Sequence, residues 1–451
     1  MLKHLEVTNF KAWRRLRMPF GKVTGLFGEN SSGKSSVLQF LLLLKQTKNA
    51  TDRGLVLDFG GPTELVNLGR YQDLVHQGDA SAEIDWALDW SLPNPMKLSD
   101  PMSRRKAVLM EGDRMKVGFR VGLRGSNLSA RFLKYRFADT DFTIEPKSEG
   151  STGFNLKKDN QNFTRNPGRG WALPGPVKTH LFPDQARTYY QNTSFLSHFE
   201  AEYESLMDRI FYLGPLRDHP QREYRWSGAS PADVGPRGEH SVDAILAATE
   251  RNETRNLEYR GRHKTFQGMI AHWLQVLGLI DAFEIREIAP GSSLYQARVR
   301  KSDGSPETML TDVGFGVSQV LPVLVLLYYV PEGSIVLMEQ PEIHLHPSVQ
   351  SGLADVMLAV AAHRGVQIIV ESHSEHLLRR FQRRAAEGNT PASDLKLYFV
   401  SNDCGVAELN DLELNEWGQI EKWPDRFFGD EMEEITAISK ASLKRRIDES
   451  R

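Results

Sequence analysis

Cysteine is almost absent. A single thiol, Cys404, stands among 451 residues, which excludes an intrachain disulfide, a Cys-based zinc hook and an iron–sulfur centre, and suits a reducing compartment. An excess of one charge is missing too: 56 Lys plus Arg against 58 Asp plus Glu leave a formal charge of −2, so nucleic acid can be met only by a local patch. No apolar run approaches the ~20 residues that span a bilayer. The longest, Val320 to Val330, is closed by Pro331-Glu332-Gly333, and Met1-Leu2-Lys3-His4-Leu5-Glu6 lacks the apolar core of a signal peptide. A cytoplasmic protein without a membrane partner is expected. Heptad runs and internal repeats are lacking. What is present, 40% apolar and 25% charged residues, is the composition of a folded globular chain, long enough for about three domains' worth of material.

Val23-Thr24-Gly25-Leu26-Phe27 reads as a strand running into a Gly-rich loop, and Ser35 to Gln46 as a helix with the stripe Val37, Leu38, Leu41, Leu42 and Leu44; these belong to a first segment, 1–80. Alternation through Ile84, Trp86, Leu88 and Trp90, then Met115, Val117, Phe119 and Val121, then Leu133, Tyr135 and Phe137 predicts an antiparallel β lobe over 81–147. Residues 148–240, with breakers such as Asn166-Pro167-Gly168, read as an insertion of loops and a helix, and 241–304 as a helical segment. Within 305–400 the pattern alternates: helix Ser318 to Tyr329, strand Ser334 to Met338, helix Ser348 to His363, strand Val366 to Glu371, helix Glu375 to Ala386, strand Lys396 to Val400. Segment 401–451 carries Trp417, Trp423, Phe427 and Phe428 and is too aromatic for a disordered tail.

Gly28-Glu29-Asn30-Ser31-Ser32-Gly33-Lys34-Ser35 matches G-x-x-x-x-G-K-[ST] between the predicted strand and helix. Glycines there let successive N–H groups curl around a phosphate, with the helix dipole behind them. Lys34 would reach the β/γ oxygens and the Ser35 hydroxyl would ligate Mg²⁺. Ser334-Ile335-Val336-Leu337-Met338-Glu339 has the form of a Walker B strand, an apolar run ending in the acid that orients Mg²⁺. Gln340 follows where ABC-type ATPases usually carry the water-polarising Glu; an amide takes no proton near neutral pH, so base work would fall to Glu342 or His373. His373 ends a further strand, in reach of a γ-phosphate. His344 and His346 read as hydrogen-bonding residues at the start of a helix. Arg379, Arg380, Arg383 and Arg384 share one helical face, solvated by default and a DNA or RNA contact in the sharper reading.

Asn9-Phe10-Lys11, the P-loop, Asp312-Val313-Gly314-Phe315-Gly316-Val317-Ser318-Gln319, Glu339-Gln340-Pro341-Glu342-Ile343-His344-Leu345-His346-Pro347 and Glu371-Ser372-His373-Ser374 occur in an order that resembles the ABC-type ATPases of the SMC/OLD group. The likeness extends to prokaryotic AAA-type ATPases with an end similar to Asn415-Glu416-Trp417-Gly418 to Trp423-Pro424-Asp425-Arg426-Phe427-Phe428, and covers roughly 1 to 80 and 305 to 430. It implies an α/β fold, an ABC-type P-loop NTPase head with an antiparallel β lobe and a large insertion between Walker A and the signature. It further implies ATP and Mg²⁺ as cofactors, Lys11 and Ser36 beside the nucleotide, Gln72 or Gln77 as the Q-loop residue, with Gln72 toward the metal, and a homodimer or higher homo-oligomer. In such an assembly ATP is sandwiched between one P-loop and the signature Gly314, Phe315, Gly316 and Ser318 of the other copy. The chain departs from that pattern at Gly314, where the signature Ser is usual, and at Gln340. The expected function is a slow ATPase acting as a nucleotide-gated sensor or scaffold for an effector encoded nearby, in bacterial anti-phage defence. A DNA-acting, SMC-like repair or maintenance motor is the alternative; a transporter subunit fits less well, since Leu-Ser-Gly-Gly-Gln is missing.

Overall fold

The computed structural model describes residues 1–99, 108–148, 150–159, 161–168, 170–256 and 263–423. The expected run Pro424 to Phe428, and the rest of 401–451 beyond Trp423, lie outside the described residues.

Short apolar runs with no polar alternation demand burial on both faces, and here they form a six-stranded sheet. Its order is Ile210–Leu213, Ile335–Glu339, Gln367–Glu371, Val23–Gly28, Leu395–Asp403, Val406–Asp411. All neighbours are parallel except the last pair, a hairpin. The P-loop strand is therefore central, and one strand separates it from the Walker B strand. Leu337 and Ile369 face one side of this sheet with the helix Lys34–Asn49, and Val336, Met338, Ile368 and Val370 the other. There the helices Ser241–Glu250, Phe266–Val276, Phe315–Tyr329, Pro347–Arg364 and Glu375–Ala386 complete the second core.

Lys34–Asn49 is covered in turn by an eight-stranded antiparallel sheet, ordered Trp13–Pro19, Leu2–Phe10, Ile84–Ser99, Val108–Arg124, Asn127–Phe137, Thr140–Pro146, Phe154–Lys158, Gln161–Asn162. Phe40 of the helix meets Phe10 and Trp86 of that sheet edge-on, with ring centroids 5.0 and 5.5 Å apart. One helix thus cements two sheets, and the α/β head with an antiparallel lobe is what the chain forms.

The middle of the chain differs from expectation. Residues 148–240 are no separate insertion: Phe154–Lys158 and Gln161–Asn162 extend the antiparallel sheet, and Ile210–Leu213 supplies the outer parallel strand beside Walker B. A four-residue strand carries too few positions to show a period. The helical expectation for 241–304 covers two helices and then the antiparallel pair Ala282–Glu287 and Leu294–Arg300, each with only two inward apolar positions, Phe283 and Ile285 or Ala297 and Val299, too few to declare a period. Likewise 401–451 opens on the end of the strand Leu395–Asp403 and then its hairpin partner, Val406–Asp411. Among the described residues no helix is long and apolar enough to cross a membrane.

One buried amide stitches the two sheets. Gln367 donates to Leu2 O at 2.9 Å and Gly21 O at 2.8 Å, and accepts from Leu2 N at 2.8 Å. Gln367→Leu keeps the volume and leaves three backbone groups short of a partner, at roughly 1–3 kcal/mol for each that stays buried and unpaired. The variant should lose about 3 kcal/mol in a urea titration; an unchanged midpoint would show that the strands are held by packing alone.

Candidate nucleotide-binding site

The loop between Gly28 and Lys34 is shaped by backbone angles that side chains resist. Gly28 has φ 139°, Ser31 φ 60° and Gly33 φ 108°, and a Cβ on Gly28 would fall 2.1 Å from Val400 O on the neighbouring strand. Only glycine fits that crossing. Lys34 opens the helix almost wholly buried, and its Nζ donates to Gly28 O at 3.0 Å and Glu29 O at 2.6 Å, which holds the ammonium across the mouth of the loop. Burial lowers its pKa, while the charges of Glu371, Glu29 and Glu342 act to keep the proton. Behind the loop, Trp13 Nε1 donates to Gly33 O at 3.1 Å and Ser36 Oγ at 2.9 Å, so Ser36 helps brace the cradle through its hydroxyl. Lys11, in the same turn at φ 50°, bonds Gln39 Oε1 at 2.5 Å and feels the charge of Glu339.

Parallel register brings the acids together. Glu339 and Glu371 are paired positions at the carboxyl ends of adjacent strands, the edge of an α/β sheet where ligands bind. Ser35 Oγ donates to Glu371 Oε1 at 2.8 Å, and Tyr212 OH to Glu339 Oε1 at 3.0 Å. Burial first, then the neighbouring Glu371, pushes Glu339 up to about 7. Glu371 is raised by burial as well, and its Oε2 is buried without a hydrogen-bond partner. A hydroxyl with two close carboxylates is a hard-oxygen set of the kind a Mg²⁺ ion takes.

Gln340 turns the chain out of the strand at φ 43°; its N–H donates to Glu371 O at 2.8 Å and its side chain is half-buried. Glu342 points back under the site, where Oε1 accepts from Ser372 Oγ at 2.7 Å and His373 N at 2.8 Å. It therefore anchors the segment that carries His373. The His373 imidazole is half-buried, its pKa lowered by burial and by the Lys34 charge, and it faces Gly28.

The structure brings together Lys34, Ser35, Glu339, Glu342, Glu371 and His373. Gly314 caps the helix Phe315–Tyr329 on a separate face, where Phe315 is 59% exposed and Ser318 Oγ turns back onto Phe315 O at 2.9 Å. Gln72 and Gln77 are exposed, because the short helix Tyr71–Leu74 spends Tyr71 and Leu74 on the core; neither contacts the acids among the described residues. His346 caps the helix Pro347–Arg364, its Nδ1 accepting from Ser348 N at 3.3 Å. The four arginines are not a free cationic face. Arg380 and Arg384 bond Asp355, Arg379 bonds Glu375, and Arg383 bonds Glu387. Missing from the sequence expectations are the Glu371 carboxylate on Ser35, and Tyr212 with its neighbour Arg217. Glu371 had a signal, a second acid at a strand end; Tyr212 and Arg217 had none, since their strand was not foreseen.

A raised carboxylate makes stability depend on pH. Folded Glu339 binds its proton more tightly than the ordinary 4.5 of the unfolded chain, so its contribution is full at low pH and is lost as pH rises from about 4.5 through about 7. His373, shifted down, acts in the opposite sense, so the effect is read by difference. In chelator, the unfolding free energy of wild type minus that of Glu339→Gln should fall between about pH 5 and about pH 8; a flat difference would mean that Glu339 is not held protonated.

The family model described as "AAA domain, putative AbiEii toxin, Type IV TA system" matches residues 23–379, and one described as "Protein of unknown function (DUF3696)" matches residues 391–438. No curated protein matches the chain. Similar solved structures include an Smc head bound to the C-winged helix domain of ScpA, with 11% identity, 92% of this chain and 98% of that one covered and a TM-score of 0.42. The SMC head domain from Thermotoga maritima has 12% identity, 91% and 99% coverage and a TM-score of 0.41. The Smc head domain with an extended coiled coil bound to the C-terminal domain of ScpA, from Pyrococcus furiosus, has 11% identity, 92% and 96% coverage and a TM-score of 0.43. With the P-loop, both acidic strand ends and His373 inside the first match, the chain belongs to the AAA-domain family of the AbiEii, Type IV TA description.

Proposed function

We propose that this chain is a Mg²⁺-dependent ATPase that turns over slowly and, while ATP is bound, pairs head to head to hold an effector protein, as part of anti-phage defence in the cytoplasm. The observation that carries it is the cluster at the sheet's carboxyl edge: Lys34 and Ser35 at the helix start, Glu371 on Ser35, Glu339 beside it, and an amide, Gln340, in the position after Walker B. The family and its P-loop support the nucleotide; the solved likenesses add nothing to the partner.

In this reading, the backbone from Gly28 to Ser36, including Glu29, Asn30, Ser31, Ser32 and Gly33, wraps the β-phosphate, and Lys34 offsets charge on the β/γ oxygens. Ser35, Glu371 and Glu339 hold Mg²⁺, with Gln72 free to join from its exposed helix; the ion supplies positive charge to the phosphates. The buried, unpartnered Glu371 Oε2 supports that fit. Gln340 orients the attacking water, His373 faces the γ-phosphate, and Glu342 keeps His373 in place. The exposed Gly314–Phe315 corner offers Gly314, Phe315 and Gly316 to the second copy, while the buried Ser318, bonded to Phe315 O, braces it from within. A DNA-acting motor draws no support from Arg379, Arg380, Arg383 and Arg384, each already paired with a carboxylate.

Turnover tests the role of the amide. General-base assistance is worth ~10²–10⁴-fold, so Gln340→Glu should raise steady-state phosphate release at least about tenfold at saturating ATP, with Lys34→Ala as the binding-dead control. Fast wild-type turnover unaffected by Gln340→Glu would move the chemistry elsewhere.

Pairing is tested at Gly316, where an added Cβ meets Leu279 Cδ2 at 3.4 Å and Leu345 Cδ2 at 4.0 Å, both ordinary van der Waals contacts. Gly316→Asp sets a carboxylate against the partner's γ-phosphate. Sedimentation with a non-hydrolysable ATP analogue should show association of wild type and a monomeric variant that still binds nucleotide. Identical behaviour with and without the analogue would remove the sandwich.

A further inference from the structure

Among the described residues two arginines are buried, and one of them has a structural task. Arg364 donates through Nη1 to Leu327 O at 2.7 Å and through Nη2 to Val330 O at 2.8 Å, which satisfies the last carbonyls of the helix Phe315–Tyr329. Arg217 is as deeply buried, 7% exposed; where Arg364 leaves Nε alone without a hydrogen-bond partner, Arg217 leaves both Nε and Nη1 without one among the described residues. Guanidinium keeps its charge at any physiological pH and has donors only. Left unpaired out of water, it is among the costlier groups a fold can hold.

Its place explains what it waits for. Arg217 follows the strand Ile210–Leu213, which runs parallel to Walker B with Leu213 opposite Met338, so the loop leaves the sheet at the same edge as Glu339 and Gln340. Two backbone bonds pin that loop, Gly214 N to Pro236 O at 2.8 Å and Asp218 N to Arg237 O at 2.9 Å, with an exposed Arg237–Asp218 ion pair at 2.8 Å beside them. Nearby acids do not take the guanidinium. Glu339 Oε1 is held by Tyr212, Glu342 Oε1 by Ser372 and His373, and Glu342 Oε2 is itself buried without a hydrogen-bond partner. A rigid loop aims an unsatisfied cation at the acidic, phosphate-binding edge. Burial pushes Arg217 down to about 10, still a cation at neutral pH.

We propose that Arg217 is a γ-phosphate contact from the same chain as the P-loop, one that favours ATP over ADP at this site. The inference rests on the ATPase reading above. The loop serves the β-phosphate, common to both nucleotides, and Lys34 spans the β/γ oxygens from the P-loop side, whereas Arg217 approaches from the far side of the Walker B strand. The same loop reaches the pairing corner, where His219 packs edge-on against Phe315 with centroids 5.8 Å apart. Seating of a γ-phosphate against Arg217 is thereby felt at the surface that meets the second copy.

The test compares nucleotides on the full chain. Calorimetry with Mg²⁺ gives the affinities of ADP and of a non-hydrolysable ATP analogue for wild type, Arg217→Met and Arg217→Lys, with thermal melts alongside. Loss of a charged hydrogen bond should weaken the ATP analogue by about ten- to a hundredfold in Arg217→Met and leave ADP within about twofold, with Arg217→Lys intermediate. Equal loss for both nucleotides, or no loss for either, overturns the proposal and leaves Arg217 a structural residue. Should Arg217→Met fail to fold, Arg217→Lys decides by the same ratio. If wild type binds neither nucleotide, the ATPase reading itself has failed, which the variants cannot mimic.

Discussion

A single hydrogen bond, Ser35 Oγ to Glu371 Oε1 at 2.8 Å, joins residues 336 positions apart, and the site depends on that closure. It requires the strand Gln367–Glu371 to lie directly beside the P-loop strand, which in turn requires Leu395–Asp403 on the other side and the helix Lys34–Asn49 beneath. Once that order is set, Walker B is one strand further out and Glu339 arrives opposite Glu371 by register alone. Two carboxylates at such a spacing repel in the low-dielectric edge of the sheet, and the raised Glu339 is the consequence. A cation brought between them would relieve both the repulsion and the orphaned Glu371 oxygen.

The buried polar groups divide by task. Gln367 and Arg364 hold backbone carbonyls and an N–H that packing alone would leave bare, and so act on stability. Glu342 does something narrower, since by holding Ser372 and the N–H of His373 it sets where the histidine stands. Arg217 belongs to neither group. Its unsatisfied donors stand at the ligand edge, where the anion proposed above would pair them.

The segment between the P-loop and the signature is also less detached than a long spacing suggests. It closes the antiparallel sheet over the helix Lys34–Asn49, returns as the outer parallel strand, and presents Tyr212 to Glu339. The segment matched as a protein of unknown function is equally integral: it supplies the strand Leu395–Asp403, whose Val400 O crowds Gly28.

By itself the sequence determined the P-loop, because glycine spacing and Lys34-Ser35 encode a local backbone shape, and the alternating block from Leu310 to Val400, because each element there is long or apolar enough to declare its period. It also determined Glu339, Gln340 and His373 as strand-end residues. The tertiary structure alone decided that Glu371 stands on Ser35, that Glu342 braces His373, and that the arginines of the helix Glu375–Ala386 are spent on Asp355, Glu375 and Glu387. Each of those depends on which strands and helices become neighbours. Tyr212 and Arg217 were the least legible, since a four-residue strand has no period and a buried arginine in sequence looks like any exposed one. Sheet order and register, contributed by residues hundreds of positions apart, are what turn isolated letters into a site.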